Sequence, residues 1–363
     1  MADSLIERST LLRRVRAAGK ALTTPLHPDD YLKLLNPLWS ARELRGRVER
    51  VEPVTDRSAT LVIRPGWGWS FDFQPGQYIG IGVELDGRFH WRSYSLSSAP
   101  VESDGTVAIT VKAMPEGFLS EHLVNGLEPG SIVRLDAPQG DFVLPEPPPA
   151  KMLFVVGGSG ITPVMSMLRT MDRRDHLPDV VLVYSSVNEE EMMFLYELRV
   201  MAMRYDGFTF VERFTDADGM FTTDQLDDVV PDWRERETWT CGPAPMLDAF
   251  AEHYEAAGLE ESLHVERFSL DLAGGGDAAG GTVTFGDTGR TAEVDGATTL
   301  LEAGEKAGVN MLFGCRMGIC HTCDVPLLKG RVKDLRSGEE RDTPGEYVQT
   351  CISVAASDCT LAI

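Results

Sequence analysis

Three cysteines crowd into GCRMGICHTCDVPLLKG, residues 314–330: Cys315, Cys320 and Cys323, with four and then two residues between them. Thiols this close are metal ligands, a disulfide or packed core. A fourth, Cys351 in YVQTCIS, completes a C-x4-C-x2-C…C pattern, the plant-type spacing of a [2Fe–2S] cluster. Structural zinc sites favour paired C-x2-C knuckles, and this stretch holds one such pair. No second C-x-H or C-x-x-H element supports a Rieske centre. His321 reads as an exposed loop residue or a hydrogen-bonding neighbour of the cluster. Cys359, alternating with Leu361 and Ile363 in CTLAI, reads as strand core.

A second group of residues suits phosphates and flat rings. KMLFVV runs into GGSGITP, residues 157–163, where Gly157, Gly158 and Gly160 let the backbone approach a ligand. Thr162 can cap the helix that follows, and Pro163 suits its first turn. Such a helix start offers free N–H groups and a positive dipole end to a pyrophosphate; otherwise it is a tight strand–helix turn. TWTCGPAPMLDAF, 238–250, repeats the design. There Cys241 is either a small buried residue or part of a nicotinamide pocket, beside Gly242 and Pro243. In HWRSYSLSS, alternation puts Arg92, Tyr94 and Leu96 on one strand face, a guanidinium for a phosphate and a ring for stacking. In EGFLSEHLVNG, 116–126, Gly117 and Ser120 lead into a short helix that forms a second anion site.

Three kinds of segment must position these residues. Residues 41–147 carry short β-rich runs broken by Gly and Pro, such as ATLVIRP, GQYIGIGVEL and TVAITVKAM, which predict an antiparallel barrel or sandwich. They end at the stiff connector PEPPPA. Residues 151–270 alternate apolar runs (KMLFVV, VVLVYSS) with helical periodicity (TPVMSMLRTM, EEEMMFLYELRVMAMRY), predicting an α/β domain with a parallel sheet. LAGGGDAAGG reads as a flexible linker over 271–281, spanning about 17–19 Å r.m.s.. Residues 282–363 form a compact third unit with the helix TLLEAGEKAG.

The composition, 43% hydrophobic and 25% charged, is that of a globular protein, and a net charge of −22 excludes nucleic acid as a partner. No signal peptide or membrane span is visible, which predicts a cytoplasmic chain with reduced cysteines. Residues 1–40 read as an N-terminal helical extension. Leu5, Leu12, Val15 and Leu22 recur among Arg8, Arg13, Arg14, Arg16 and Lys20, a basic amphipathic helix that either packs on the first domain or lies peripherally on the inner face of an anionic membrane.

The order RxYS, G-x-x-S, GGSGITP and CGP over 41–268 resembles the ferredoxin–NADP reductase superfamily. The resemblance implies a flavin-binding barrel followed by a nicotinamide-binding α/β domain. By it, Arg92, Tyr94, Ser95 and Leu96 hold the flavin, with Gly117 and Ser120 at its phosphates. Gly157, Gly158, Gly160, Thr162, Cys241, Gly242 and Pro243 line the nicotinamide site, and in HVERF Glu266 and Phe268 stand beside the flavin ring. Tyr94, Ser95, Cys241, Glu266 and Phe268 are then the catalytic group. The third unit is similar to β-grasp [2Fe–2S] ferredoxins. A hydride carries two electrons and the cluster accepts one, so a flavin must stand between them.

The whole layout resembles reductase components of bacterial oxygenases. TTPLHPDDYLKLLNPLWSARELRGRV, residues 23–48, with the barrel motifs, is most similar to the reductase partner of bacterial membrane di-iron acyl-CoA (stearoyl-CoA) desaturases and related alkane hydroxylases. That resemblance implies a membrane-bound electron acceptor, FAD rather than FMN, and NADPH. The acids of VNEEEM, after VVLVYSS, instead favour NADH on local electrostatics. Alternatives are the reductase of a Rieske-type oxygenase, a free-standing flavin reductase or NAD(P)H oxidase with a zinc-stabilised third module, or a redox sensor.

Overall fold

A computed structural model describes residues 28–40, 43–69, 72–85, 88–100, 105–114, 118–268, 278–313, 318, 321–335 and 337–363. The amphipathic stretch Leu5–Leu22 lies outside these residues. So do Gly117, Cys315, Cys320 and all but the last residues of the expected linker.

The first sheet is antiparallel. It comprises β1 (Arg45–Thr55), β2 (Ser58–Pro65), β3 (Tyr78–Leu85), β4 (Arg88–Ser95), β5 (Val107–Lys112) and β6 (Ile132–Leu135), ordered β4-β3-β6-β1-β2-β5. Its two outer strands meet where Leu96 bridges Ile109 and the Ser97 N–H donates to the Ala108 carbonyl at 2.8 Å, so the sheet closes into a barrel. Leu61, Ile63, Ile79, Ile81 and Leu96 fill it. β1 gives little signal in the sequence because Arg47, Glu49, Arg50 and Glu52 surround its one buried apolar side chain, Val48.

The second sheet is parallel. Strands β7 (Lys151–Gly157), β8 (Asp179–Ser186), β9 (Phe208–Phe214), β10 (Glu237–Cys241) and β11 (Leu263–Glu266) are ordered β11-β10-β7-β8-β9. The chain steps from β7 to one side, then returns to build the other. The carboxyl ends of β7 and β10 therefore flank a topological switch point, where open α/β sheets bind ligands. Apolar residues on both faces of β7 and β8 explain their unbroken hydrophobic runs. The helix expected over EEEMMFLYELRVMAMRY starts only at Leu195. Phe194 is left-handed (φ 60°), and Met192 and Met193 before it are buried core rather than one face of a helix.

Barrel and parallel sheet share packing. Phe142 and Leu144 enter the core beneath the Ile161–Arg173 helix. From that helix Ser166 Oγ donates to the Ser98 carbonyl at 2.6 Å and Arg169 Nη1 to the Ser97 carbonyl at 2.6 Å. Arg169 also forks onto Glu197 with two bonds of 2.7 Å.

The third unit has a mixed five-stranded sheet of β12 (Gly281–Phe285), β13 (Arg290–Val294), β14 (Asp324–Lys329), β17 (Tyr347–Gln349) and β19 (Cys359–Leu361), ordered β13-β12-β19-β14-β17. A small sheet of β15 (Val332–Asp334), β16 (Glu340–Arg341) and β18 (Ser353–Ala355) accompanies it. Its helix, Leu300–Lys306, begins with a capping box between Thr299 and Glu302, two bonds of 3.2 Å. Cys359 and Leu361 are core, as their alternation implies. Among the described residues no helix is long and apolar enough to cross a membrane.

Candidate active site and iron–sulfur centre

At the carboxyl ends of β7 and β10, a cleft of about 1050 Å³ opens between barrel and parallel sheet. The barrel contributes Arg92, Tyr94, Ser95 and Ser120, and the α/β domain contributes Gly157, Gly158, Gly160, Thr162, Gly242, Pro243 and Phe268. These residues come from five separate motifs, and the fold gathers them around one space.

Five sequence-predicted residues stand differently. Leu96 lies beyond the end of β4, fully buried in the barrel, and does not line the cleft. Cys241 is fully buried at the end of β10, facing the domain core. Burial, with the Glu266 carboxylate nearby, pushes its thiol well above the ordinary value. Glu266 pairs in register with Cys241 across β10 and β11 and is half-buried behind the cleft wall. Thr162 does not cap the helix: Gly160 occupies that position, and Thr162 Oγ1 donates back to the Ser159 carbonyl at 2.9 Å. Ser120 sits inside the short Phe118–Glu121 helix, where its hydroxyl accepts from the Met114 N–H at 3.1 Å.

The two glycine turns are locked together. A Cβ on Gly160 would lie 2.1 Å from the Cys241 carbonyl oxygen, and one on Gly157 2.7 Å from Pro243 Cδ. Gly158 is left-handed (φ 54°) with nothing within 4 Å of its missing Cβ, so this backbone is bare toward the cleft. Behind it, buried Tyr184 donates its hydroxyl to the Gly158 carbonyl at 3.0 Å and accepts from the Met193 N–H at 3.2 Å. The sequence offered no sign of that role, because Tyr184 sits in an apolar strand run. Ser186 is buried on the cleft wall, and its hydroxyl has no protein partner among the described residues. An orphaned hydroxyl, a bare glycine turn at the start of a 13-residue helix and Arg92 beside Tyr94 fit a bound dinucleotide and a stacked heteroaromatic ring. Burial raises the Tyr94 phenol to about 12, so the ring stays neutral.

Burial, then the Asp141 charge, raises the Glu266 carboxyl from 4.5 to about 7. The folded chain therefore holds a proton there that the unfolded chain has already released, so stability falls as pH rises from about 4.5 to about 7 and then levels. Glu266→Gln removes this dependence: the melting temperature of wild type relative to the variant should fall between pH 5 and pH 7 on the order of the linkage slope. A difference that stays constant with pH would contradict the buried acid.

In the third unit, Cys323 and Cys351 are buried with sulfurs 3.2 Å apart. That is too far for a disulfide of about 2.0 Å, and the two thiols are near enough to serve one metal. The ladder makes this contact: Asp324 pairs with Gln349, and both the N–H and hydroxyl of Thr350 donate to the Cys323 carbonyl, at 3.2 and 3.1 Å. Gly318 (φ 70°) and His321 (φ 55°) turn the loop tightly, and a Cβ on Gly318 would meet Ile352 at 2.4 Å. His321 is exposed and pairs with Asp324 at 3.0 Å, so it points away from ligation. Two buried thiols at the mouth of a tight loop fit an all-cysteine cluster.

Comparison with known proteins agrees domain by domain. Residues 62–144 match the oxidoreductase FAD-binding domain, 154–252 the oxidoreductase NAD-binding domain, and 283–356 the 2Fe-2S iron-sulfur cluster binding domain. The chain is 54% identical to an NADPH oxidoreductase of Mycobacterium tuberculosis, over 96% of this chain and 92% of the relative. It is 31% identical to the glycine betaine monooxygenase reductase subunit of Pseudomonas aeruginosa, over 80% of this chain and 87% of the relative. Among solved structures, phthalate dioxygenase reductase superposes with a TM-score of 0.61 at 22% identity, covering 89% of this chain and 98% of that one.

Proposed function

Since the chain belongs to the ferredoxin reductase-type family that joins FAD-, NAD- and [2Fe–2S]-binding domains, we propose that it delivers electrons to an oxygen-activating partner, a membrane-bound di-iron acyl-CoA desaturase or alkane hydroxylase. The chain is an NAD(P)H oxidoreductase, and its flavin converts a two-electron hydride into the single electrons that a [2Fe–2S] centre accepts.

In this reading the residues divide the work. Arg92, Tyr94 and Ser95 hold the flavin, with Gly117 and Ser120 toward its phosphates. The Gly157–Thr162 turn and Gly242–Pro243 seat the nicotinamide nucleotide. Cys241 and Glu266 stand behind the cleft wall, and Phe268 flanks the ring. Cys315, Cys320, Cys323 and Cys351 hold the cluster.

The observation that carries the membrane partner is the likeness of residues 23–48 to desaturase reductases, and the surface beside it supports that reading. On the Pro28–Leu35 helix, Leu34 and Leu35 are 79% and 77% exposed, with Tyr31 on the same side. Nearby, Trp67 is 66% exposed and stacks on Trp39. Aromatic and aliphatic side chains grouped this way suit a bilayer interface. Purified protein with NADPH should restore desaturation in membranes containing such a desaturase. No product, with cytochrome c reduction intact, would remove the assignment and favour an oxygenase component like those served by the 31%-identical reductase subunit.

NADPH is the proposed donor. Two of the three acids that favour NADH on sequence are occupied: Glu189 by Arg199 at 2.8 Å and Glu191 by Lys112 at 2.6 Å. The name of the 54%-identical relative supports the same choice. Comparing kcat/KM for the two nucleotides decides it.

A further inference from the structure

The cleft has the charge pattern of an anion site with one anomaly. Arg57, Arg92 and Lys112 line it, and Glu191 is the sole carboxylate among the described residues on its wall. That carboxylate sits on a cation. Lys112, the last residue of β5 in the barrel, donates from Nζ to Glu191 Oε2 at 2.6 Å, and both side chains are largely sheltered, 19% and 29% exposed. Glu191 follows β8, so the pair crosses the cleft from one domain to the other. The Glu191 N–H donates to Asn188 Oδ1 at 3.0 Å, which holds the loop in place. Its carboxyl stays below the usual range chiefly through Lys112, and Arg57 adds to this. Arg57 is itself fixed by a 3.0 Å bond to the Ala113 carbonyl.

We propose that Glu191 is an internal competitor for the nucleotide's phosphate: it holds Lys112 in position across the cleft and is displaced when a phosphate takes that ammonium. The physical basis is ion exchange. Binding trades one sheltered ion pair for another, so the free energy gained from Lys112 is smaller than a bare ammonium would give. In return the flexible lysine stem is already ordered toward the ligand, and nucleotides lacking a phosphate in reach cannot displace the carboxylate. Because the number of ion pairs is unchanged on binding, affinity should depend only weakly on salt. Glu191 is thus a specificity-determining residue that acts through Lys112.

The test is calorimetric titration of the flavin-loaded protein with NADP⁺, NAD⁺, 2′-AMP and ADP, for wild type, Glu191→Gln, Lys112→Gln and the double variant. Glu191→Gln should bind NADP⁺ about threefold or more tightly, with a steeper salt dependence. A matching gain for NAD⁺ and ADP identifies the pyrophosphate as the displacing group; a gain confined to NADP⁺ and 2′-AMP identifies the 2′-phosphate. Unchanged or weaker binding overturns the proposal, weaker binding marking Glu191 as a direct ligand of the ribose. A gain that persists in the Lys112→Gln background also overturns it, since Glu191 would then not act through Lys112. Glu191→Ala, with the same expectations, covers a Gln variant that fails to fold. The inference rests on the nucleotide occupying this cleft. Wild type that binds none of the four ligands would sink that placement, whereas equal wild-type and variant affinities would sink only the exchange.

Discussion

Cys351→Ser is expected to yield a protein without acid-labile sulfide and without the visible absorption of the cluster. NADPH-driven cytochrome c reduction should fall at least about 100-fold. Ferricyanide reduction, which the flavin supports without the cluster, should continue. The Cys323 and Cys351 sulfurs lie 3.2 Å apart. Thr350 ties the backbone of one cysteine to the other through two bonds, which holds the two sulfurs side by side. Cys359 is the control. It is 2% exposed, its thiol is pushed up to about 11 mainly by burial, and it packs in the sheet core. Cys359→Ala should keep the cluster and lose only about 1–2 kcal/mol of stability. A sulfide-containing Cys351→Ser protein, or a cluster lost on Cys359→Ala, would reverse the ligand assignment.

The contrast between those cysteines marks what a sequence can carry. Spacing grouped Cys351 with Cys323 although they are far apart in the chain, and the fold brings their sulfurs to 3.2 Å. Strand alternation placed Cys359 in the core. Both signals are local or chemically constrained. The glycine turns were legible for the same reason, since backbone that must approach a ligand needs specific residue types.

What escaped lies in tertiary geometry. Thr162 has the chemistry of a cap, yet the chain turns at Gly160 and puts Thr162 one step inside the helix. The EEEMM run has helical spacing, but Glu191 is drawn to Lys112 and Phe194 turns left-handed before Leu195 begins the helix. Two of the three acids of that run, Glu189 and Glu191, are thereby neutralised by partners distant in the chain. Arg199, which neutralises Glu189, also forks onto Glu212 of β9. A cross-strand or cross-domain partner of this kind leaves no periodic trace.

Gly160→Ala is the second large effect, and its cause is separable from backbone strain. Gly160 has φ −59° and ψ −13°, ordinary helical angles that alanine adopts freely. The obstacle is contact: the new Cβ would lie 2.1 Å from the Cys241 carbonyl oxygen, 2.5 Å from its carbon and 3.0 Å from the Gly242 nitrogen. All three are backbone atoms, so no rotamer relieves them. The helix start must move away from the β10 turn, and the two halves of the proposed nucleotide seat separate. Overpacking of this kind costs about 1–3 kcal/mol or more, and a displacement on the order of 1 Å in a reacting geometry costs about 100-fold in rate. The variant should therefore retain flavin and cluster absorption, held by other domains, while kcat/KM for NADPH drops about 100-fold. Gly158→Ala supplies the comparison: its cost is the left-handed backbone, about 1–2 kcal/mol, plus a methyl entering open cleft, so its main effect should be a raised KM. If Gly160→Ala instead showed wild-type kcat/KM and melting temperature, the close approach of the two turns would be refuted, and with it the placement of the nucleotide between them.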